Sequence, residues 1–415
     1  MKQPLKTNWE AIVIALAAGI IAAAHYGKAP TALPEIRSQI PISLIVAGWI
    51  MSVFSLTGMA FGIAAGTFAD RLGAKQLAML GLGTLSLGSL IGGLASSGEM
   101  LLLSRVIEGF GFISVAVSAP ILIIRASALK DLQLSLGIWT TYMPAGMALS
   151  MIFTPIMVAA MGWRTFWILA SATTLIWLFL IGWREGRGTR TDTTVAPPEH
   201  SLLENILLTI RTPGPWLLSI GFGFYTIQWI SLMAWLPSFM VEQRGLSLEI
   251  TGVLTALVVA ANIPGNLTVG WLFRWGLTRS TTLIISGAGL GITAFGIFND
   301  GFSDLFRYLL CLAFSFFGGM TPGAVLSGAP TVAPTRGQIG TVNGMMVQGS
   351  HMGQLLGPPA LAALATYTGS WQETRWLMLA SASGIIVTSL LFRRLVINTP
   401  EKQQPPDALE EDPDA

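Results

Sequence analysis

Apolar runs of about twenty residues follow one another along almost the whole chain, and they decide what it can fold into. A membrane-spanning helix needs about 20 mainly apolar residues. About twelve such runs occur, near 10–29, 43–69, 76–97, 100–124, 133–160 and 163–183, then near 216–240, 248–273, 280–298, 304–330, 337–366 and 374–395. They are too long for strands and lack sustained period-two alternation. Only 11% of the 415 residues are charged and 52% are hydrophobic, against roughly 25% charged in an average soluble domain. A water-facing surface cannot be built from such a chain. That excludes a soluble enzyme, a nucleic-acid-binding protein and a disordered scaffold. The expected class is an all-α polytopic membrane protein with 12 transmembrane helices. A lone Cys311 excludes a disulfide framework and a cysteine metal site.

Lys2 and Lys6 ahead of an apolar stretch ending Ala22-Ala23-Ala24 also fit a cleaved signal peptide, which would leave eleven spans. Keeping the first run as a span preserves an even division, and that is the expectation. Lys and Arg then set orientation. With the N-terminus inside, 16 of the 23 basic residues fall on the cytoplasmic side, and six fall opposite: Lys28, Arg37, Arg164, Arg244, Arg307 and Arg375. Arg105 alone falls inside a span. Both termini are predicted to be cytoplasmic, in a bacterial inner membrane.

The longest internal polar segment, 184–215, divides the runs six and six. It separates an N-terminal half, 1–183, from a C-terminal half, 216–398. Ser201-Leu202-Leu203-Glu204 within it reads as a capping box opening a short interfacial helix to Ile210. The tail, 399–415, is acidic, Pro-containing and expected to be disordered. The halves echo each other about 205 residues apart. Gly66-Thr-Phe-Ala-Asp-Arg-Leu-Gly-Ala-Lys75 recurs in worn form as Gly270-Trp-Leu-Phe-Arg-Trp-Gly-Leu-Thr-Arg279, and Pro155 answers Pro358. With six spans each, both halves enter the membrane from the same side, so a parallel pseudo-two-fold relates them.

The loop Gly66-x-x-x-Asp70-Arg71-x-Gly73-x-Lys75 resembles the signature loop of the major facilitator superfamily. Arg105-x-x-Glu108-Gly109-x-Gly111 is similar to that superfamily's second motif, and Gly162-Trp163-Arg164 is typical of its sixth span. Among subfamilies the chain looks most like bacterial cyanate/nitroimidazole-type permeases. The fifth span, Gly137-Ile-Trp-Thr-Thr-Tyr-Met-Pro144-Ala-Gly146, lacks the superfamily's antiporter motif, which disfavours a drug exporter. The resemblance implies a latch at the signature loop, with Asp70 engaging the start of the eleventh span and Arg125 as an ion-pair mate. The same residues also read simply as topology markers. It further implies that Arg105 takes part in proton or substrate coupling.

An ionisable residue at depth costs about 2.5–3.5 kcal/mol on insertion scales, so it faces a cavity or a partner. Arg105 and Glu108, three apart on one helix face, are either a self-neutralised pair or a working one. In the working version Glu108 carries a proton and Arg105 is free to meet substrate. The eleventh span offers a second stripe of Asn343, Ser350, His351 and Gln354, with His351 either a proton carrier or interhelical glue. His25 is placed at the outer mouth. Softer substrate candidates are Tyr142, with Trp139 and Thr140, then Tyr225, Gln228 and Trp229 on one face of the seventh span. Asn262 and Asn266 flank Pro264-Gly265, a pair able to break the eighth.

These features predict a secondary active transporter of a small anionic or polar solute, by proton symport and alternating access. The alternative is a proton-coupled drug or metabolite exporter, and a transport-dead sensor is the outlying case. No Walker A sequence is present. No cofactor, resident metal or nucleic-acid partner is implied. The expected partners are the solute, protons and the lipid bilayer, and the expected state is a monomer.

Overall fold

The computed structural model describes residues 6–62, 72–139, 141–185, 202–335 and 338–398, and among them every regular element is helical. The helices are α1 (Trp9–Gln39), α2 (Leu44–Phe61, with a 3-10 turn at Val53–Ser55), α3 (Ala74–Gly93), α4 (Gly98–Ala126), α5 (Leu132–Trp139) and α6 (Tyr142–Glu185). After α7 (Leu202–Ile210) come α8 (Pro213–Arg244), α9 (Leu248–Arg274), α10 (Arg279–Ile297), α11 (Asp304–Leu326), α12 (Ile339–Thr368) and α13 (Arg375–Asn398).

Ten of these are long and apolar enough to cross a membrane. At 1.5 Å per residue, the 44 residues of α6 would span about 66 Å, over twice the hydrocarbon thickness. Gly162, at φ 78°, breaks the helical path and divides α6 there. α12 is long enough, at 30 residues, but its polar stripe leaves it outside the ten. Local chemistry starts the others. Ser43, Ser97, Ser247, Thr278 and Ser303 each accept a first-turn backbone N–H through their hydroxyl.

Several expectations change. The first helix does not stop near residue 29 but runs to Gln39 through Pro30 and Pro34. The fifth run is not one helix, because α5 ends at Trp139 and α6 begins at Tyr142. The eighth is interrupted at Ala261, just ahead of the Pro-Gly pair. Helix α7 lies as expected, but Ser201 falls outside the described residues, as do Gly66, Asp70, Arg71 and Thr140.

Two crossings tie the N-terminal helices to the C-terminal ones, and they mirror each other. A methyl on Gly48 of α2 would lie 2.9 Å from the Pro359 Cα of α12. One on Gly252 of α9 would lie 2.6 Å from the Pro155 Cγ of α6 and overlap the Met151 carbonyl. Gly252 lies 204 residues after Gly48, and Pro359 lies 204 residues after Pro155. Beyond its crossing, α2 continues along α12: Gly58 faces the His351 ring, and Gln348 Nε2 donates to Met59 O at 2.6 Å. The last part of α9, Asn262–Arg274, packs on α11 instead. At the α1 and α8 ends, Arg37 and Glu242 join across the same divide at 2.6 Å.

Candidate substrate and proton-coupling site

Arg105 and Glu108, three apart on α4, are 1% and 0% exposed. They are not a closed pair. Lys28 and His25 of α1 enter the same space, each no more than 2% exposed. Lys28 is therefore not an outer topology charge, and His25 does not line an outer mouth. Both belong to the innermost cluster of the N-terminal helices. Gly88 of α3 makes room, since a methyl there would lie 2.7 Å from Glu108 Cγ.

The hydrogens in this cluster can be counted. Lys28 Nζ donates to Glu108 Oε1 at 2.6 Å, Ser89 Oγ at 2.7 Å and His25 Nδ1 at 2.9 Å, which uses all three of its hydrogens. Ser89 can accept because its own hydrogen goes to Trp167 O. Thr174 likewise spends its hydrogen on Ala170 O, so its oxygen accepts from His25 Nε2, 2.8 Å away. A neutral His25 then presents a lone pair at Nδ1, where Lys28 donates. The Trp167 ring covers the ammonium at 4.7 Å.

Arg105 is almost as constrained. Its Nη1 donates to Glu108 Oε2 at 2.5 Å and to His25 O at 2.7 Å, and its Nε donates to Ile50 O at 3.3 Å. Phe54 stacks under the guanidinium at 4.5 Å. Of its side-chain nitrogens, only Nη2 lacks a partner, and it is buried. Two cations thus share one carboxylate, leaving one positive charge over.

The C-terminal candidates divide. Tyr225, Trp229 and Asn262 do meet: Asn262 Nδ2 donates to Tyr225 Oη at 3.1 Å and to Ser315 O at 3.2 Å, and Trp229 Nε1 donates to Ser315 Oγ at 3.0 Å. Gln228 does not join them. Its amide turns to α13, donating to Met378 O at 3.2 Å when oriented as its neighbours require. Gln354 is occupied at the α2–α12 seam, accepting from Ser55 Oγ at 3.0 Å and donating to Ser350 Oγ at 3.1 Å. His351 lies against Phe112, ring centres 6.2 Å apart, with Nδ1 unpartnered; Asn343 Oδ1 is unpartnered too. Tyr142 stacks on Trp139 at 4.1 Å and reaches Phe112 at 6.4 Å. An aromatic wall of Phe54, Phe112, Tyr142 and His351 therefore runs beside the charged cluster. Of the latch residues in view, Gly73 holds φ 82° ahead of α3, and Lys75 donates to Gly182 O at 3.2 Å.

The Major Facilitator Superfamily model matches residues 14–349, most of the chain. The chain belongs to that superfamily. It is a small-solute transporter rather than an enzyme, a multi-pass membrane protein with the superfamily's fold. A probable sulfoacetate transporter of Cupriavidus necator is 24% identical, covering 97% of this chain and 98% of that one. The cyanate transport protein of Escherichia coli is 24% identical over 58% of this chain and 61% of its own. Among solved structures, a bacterial homolog of the human lysosomal transporter Spinster, inward-facing and occupied, superposes with a TM-score of 0.76 at 16% identity, covering 95% of this chain and 97% of that one.

Sequence reasoning found Arg105 and Glu108 because charges interrupt an apolar run. It missed Lys28, Ser89, Thr174 and Ser315. Lys28 carried a signal, a charge three residues after a histidine inside what proved to be one helix. The three hydroxyls carried none.

Proposed function

We propose that this superfamily member takes up a small organic or inorganic anion by proton symport, through alternating access of two six-helix halves. The count of twelve takes α6 as two spans at Gly162 and adds α12. The mirrored crossings Gly48–Pro359 and Gly252–Pro155 support the division into halves. Both termini and the segment before α8 lie on the cytoplasmic side of a bacterial inner membrane, on the balance of Lys and Arg. The Arg37–Glu242 end is then the outer end.

One observation carries the anion. In a fully buried site, Lys28 and Arg105 face a single carboxylate, and the Arg105 guanidinium keeps an unused edge. Buried charge of one sign calls for a counter-charge. Sulfoacetate and cyanate, named for two relatives, are both small anions. Glu108, the acid at the centre, is the proton carrier, with His351 at the seam as the reserve. Tyr225, Trp229 and Asn262 contribute a neutral, hydrogen-bonded surface on the C-terminal side.

Melting of the purified protein tests this directly, because a ligand that binds the folded state raises the transition. Sulfoacetate or cyanate should raise it at neutral pH. An imposed inward proton gradient should then drive uptake of that anion into liposomes. Stabilisation by cationic or neutral drugs and by neither anion would overturn the reading.

A further inference from the structure

We propose that Lys28 is a positioning residue that makes Arg105 exchangeable: it holds Glu108 so that the guanidinium can leave the carboxylate for the transported anion. This rests on the anion reading above. The two cations do not serve Glu108 in the same way. Lys28 Nζ sits on Oε1 with every hydrogen spent, on Glu108, Ser89 and His25, under the Trp167 ring. It has nothing left to offer a ligand and no reason to move. Arg105 takes the other oxygen, Oε2, through Nη1 alone, and its Nη2 edge is empty. When an anion arrives, Arg105 can turn its two terminal nitrogens to it while Glu108 stays paired through Oε1. Without Lys28, the same turn would strand a buried carboxylate, so Arg105 would stay where it is.

The groups facing Glu108 are Arg105 from its own helix and His25 and Lys28 from α1, with Ser89 of α3 bonded to Lys28 and Thr174 of α6 bonded to His25. Apparent affinity scales with the fraction of protein whose Arg105 is released. Two substitutions and their combination separate this from a direct contact. Binding of sulfoacetate and of cyanate would be read by the melting transition and by calorimetry on the full-length protein. Lys28→Gln should weaken binding by about tenfold or more, because Glu108 then keeps Arg105. Glu108→Gln alone should bind more tightly than wild type, its competitor being gone. The double variant should recover the affinity that Lys28→Gln loses, since Arg105 is again released. If Lys28 instead touched the anion, the double variant would stay weak, and that result overturns the proposal. So does a Glu108→Gln protein that binds no more tightly than wild type, a measurement that does not depend on Lys28→Gln folding. Wild type that responds to neither anion refutes the anion reading, and this inference falls with it; wild type that binds while Lys28→Gln binds equally well refutes the inference alone.

Discussion

The N-terminal helices and the C-terminal helices contain matching crossings and fill the space beside them with opposite chemistry. A methyl on Gly109 of α4 would overlap the Phe54 carbonyl of α2; one on Gly319 of α11 would overlap the Asn262 carbonyl of α9. Aligned on these glycines, the position four residues earlier is Arg105 in one half and Ser315 in the other. The position one residue earlier is Glu108 in one and Gly318 in the other. Where the N-terminal half holds an acid between two cations, the C-terminal half has no side chain at all. Tyr225 and Trp229 close over the gap, within 2.9 Å and 3.3 Å of where a methyl would stand. A shared scaffold thus carries two chemistries. Buried charge sits on one side, and a neutral, hydrogen-bonded surface sits on the other.

The strongest way to break this division is Glu108→Gln. If the charged half alone does the coupling, proton-driven accumulation should be lost while substrate exchange survives. Leaving Lys28 and Arg105 unpaired in a buried site should also lower stability by about 3–5 kcal/mol, partly restored by bound anion. Normal accumulation by this variant would move the proton site to His351. Gly109→Ala and Gly319→Ala test whether the crossings are equivalent. Each forces a methyl onto a backbone carbonyl, and each should cost about 1–3 kcal/mol or more in melting experiments. A large effect at one site and none at the other would refute the alignment. Asn262→Ala removes hydrogen bonds to Tyr225 and Ser315 and should cost about 1–3 kcal/mol. It should change KM while leaving the pH profile of uptake unmoved, and an altered profile would mean the C-terminal half shares in coupling. The smallest effect is expected from Arg37→Gln, which breaks a half-exposed ion pair worth about 0–1 kcal/mol.

How much of this was legible depended on what each residue interrupts. Arg105 and Glu108 stand out because they are the only charges between Glu99 and Arg125 in an otherwise mostly apolar run. Pro30 and Pro34 hid Lys28, because prolines read as the end of a run. A membrane helix tolerates them where neighbouring groups satisfy the freed carbonyls, so α1 continues and carries Lys28 inside. Gln228 shows the limit of periodicity. It shares a broad stripe with Tyr225 and Trp229, yet one helix position is enough to turn it to α13. The α2–α12 seam was invisible, since contact between Gly58 and His351 pairs residues nearly three hundred positions apart. The fold class needed none of this, because span length and polarity fix it.

The position of Lys28 also bears on how the protein is made. It enters the bilayer with α1, whereas Glu108 lies 80 residues further along. At roughly 5–20 residues per second, the ammonium waits several seconds for its carboxylate, at an insertion cost of about 2.5–3.5 kcal/mol if it is held at depth. Until α4 arrives, α1 is best accommodated shallow, with Lys28 reaching the headgroups. The charged cluster therefore forms only when α1 is drawn inward by a later helix, which makes assembly of this half a question of timing as well as of affinity.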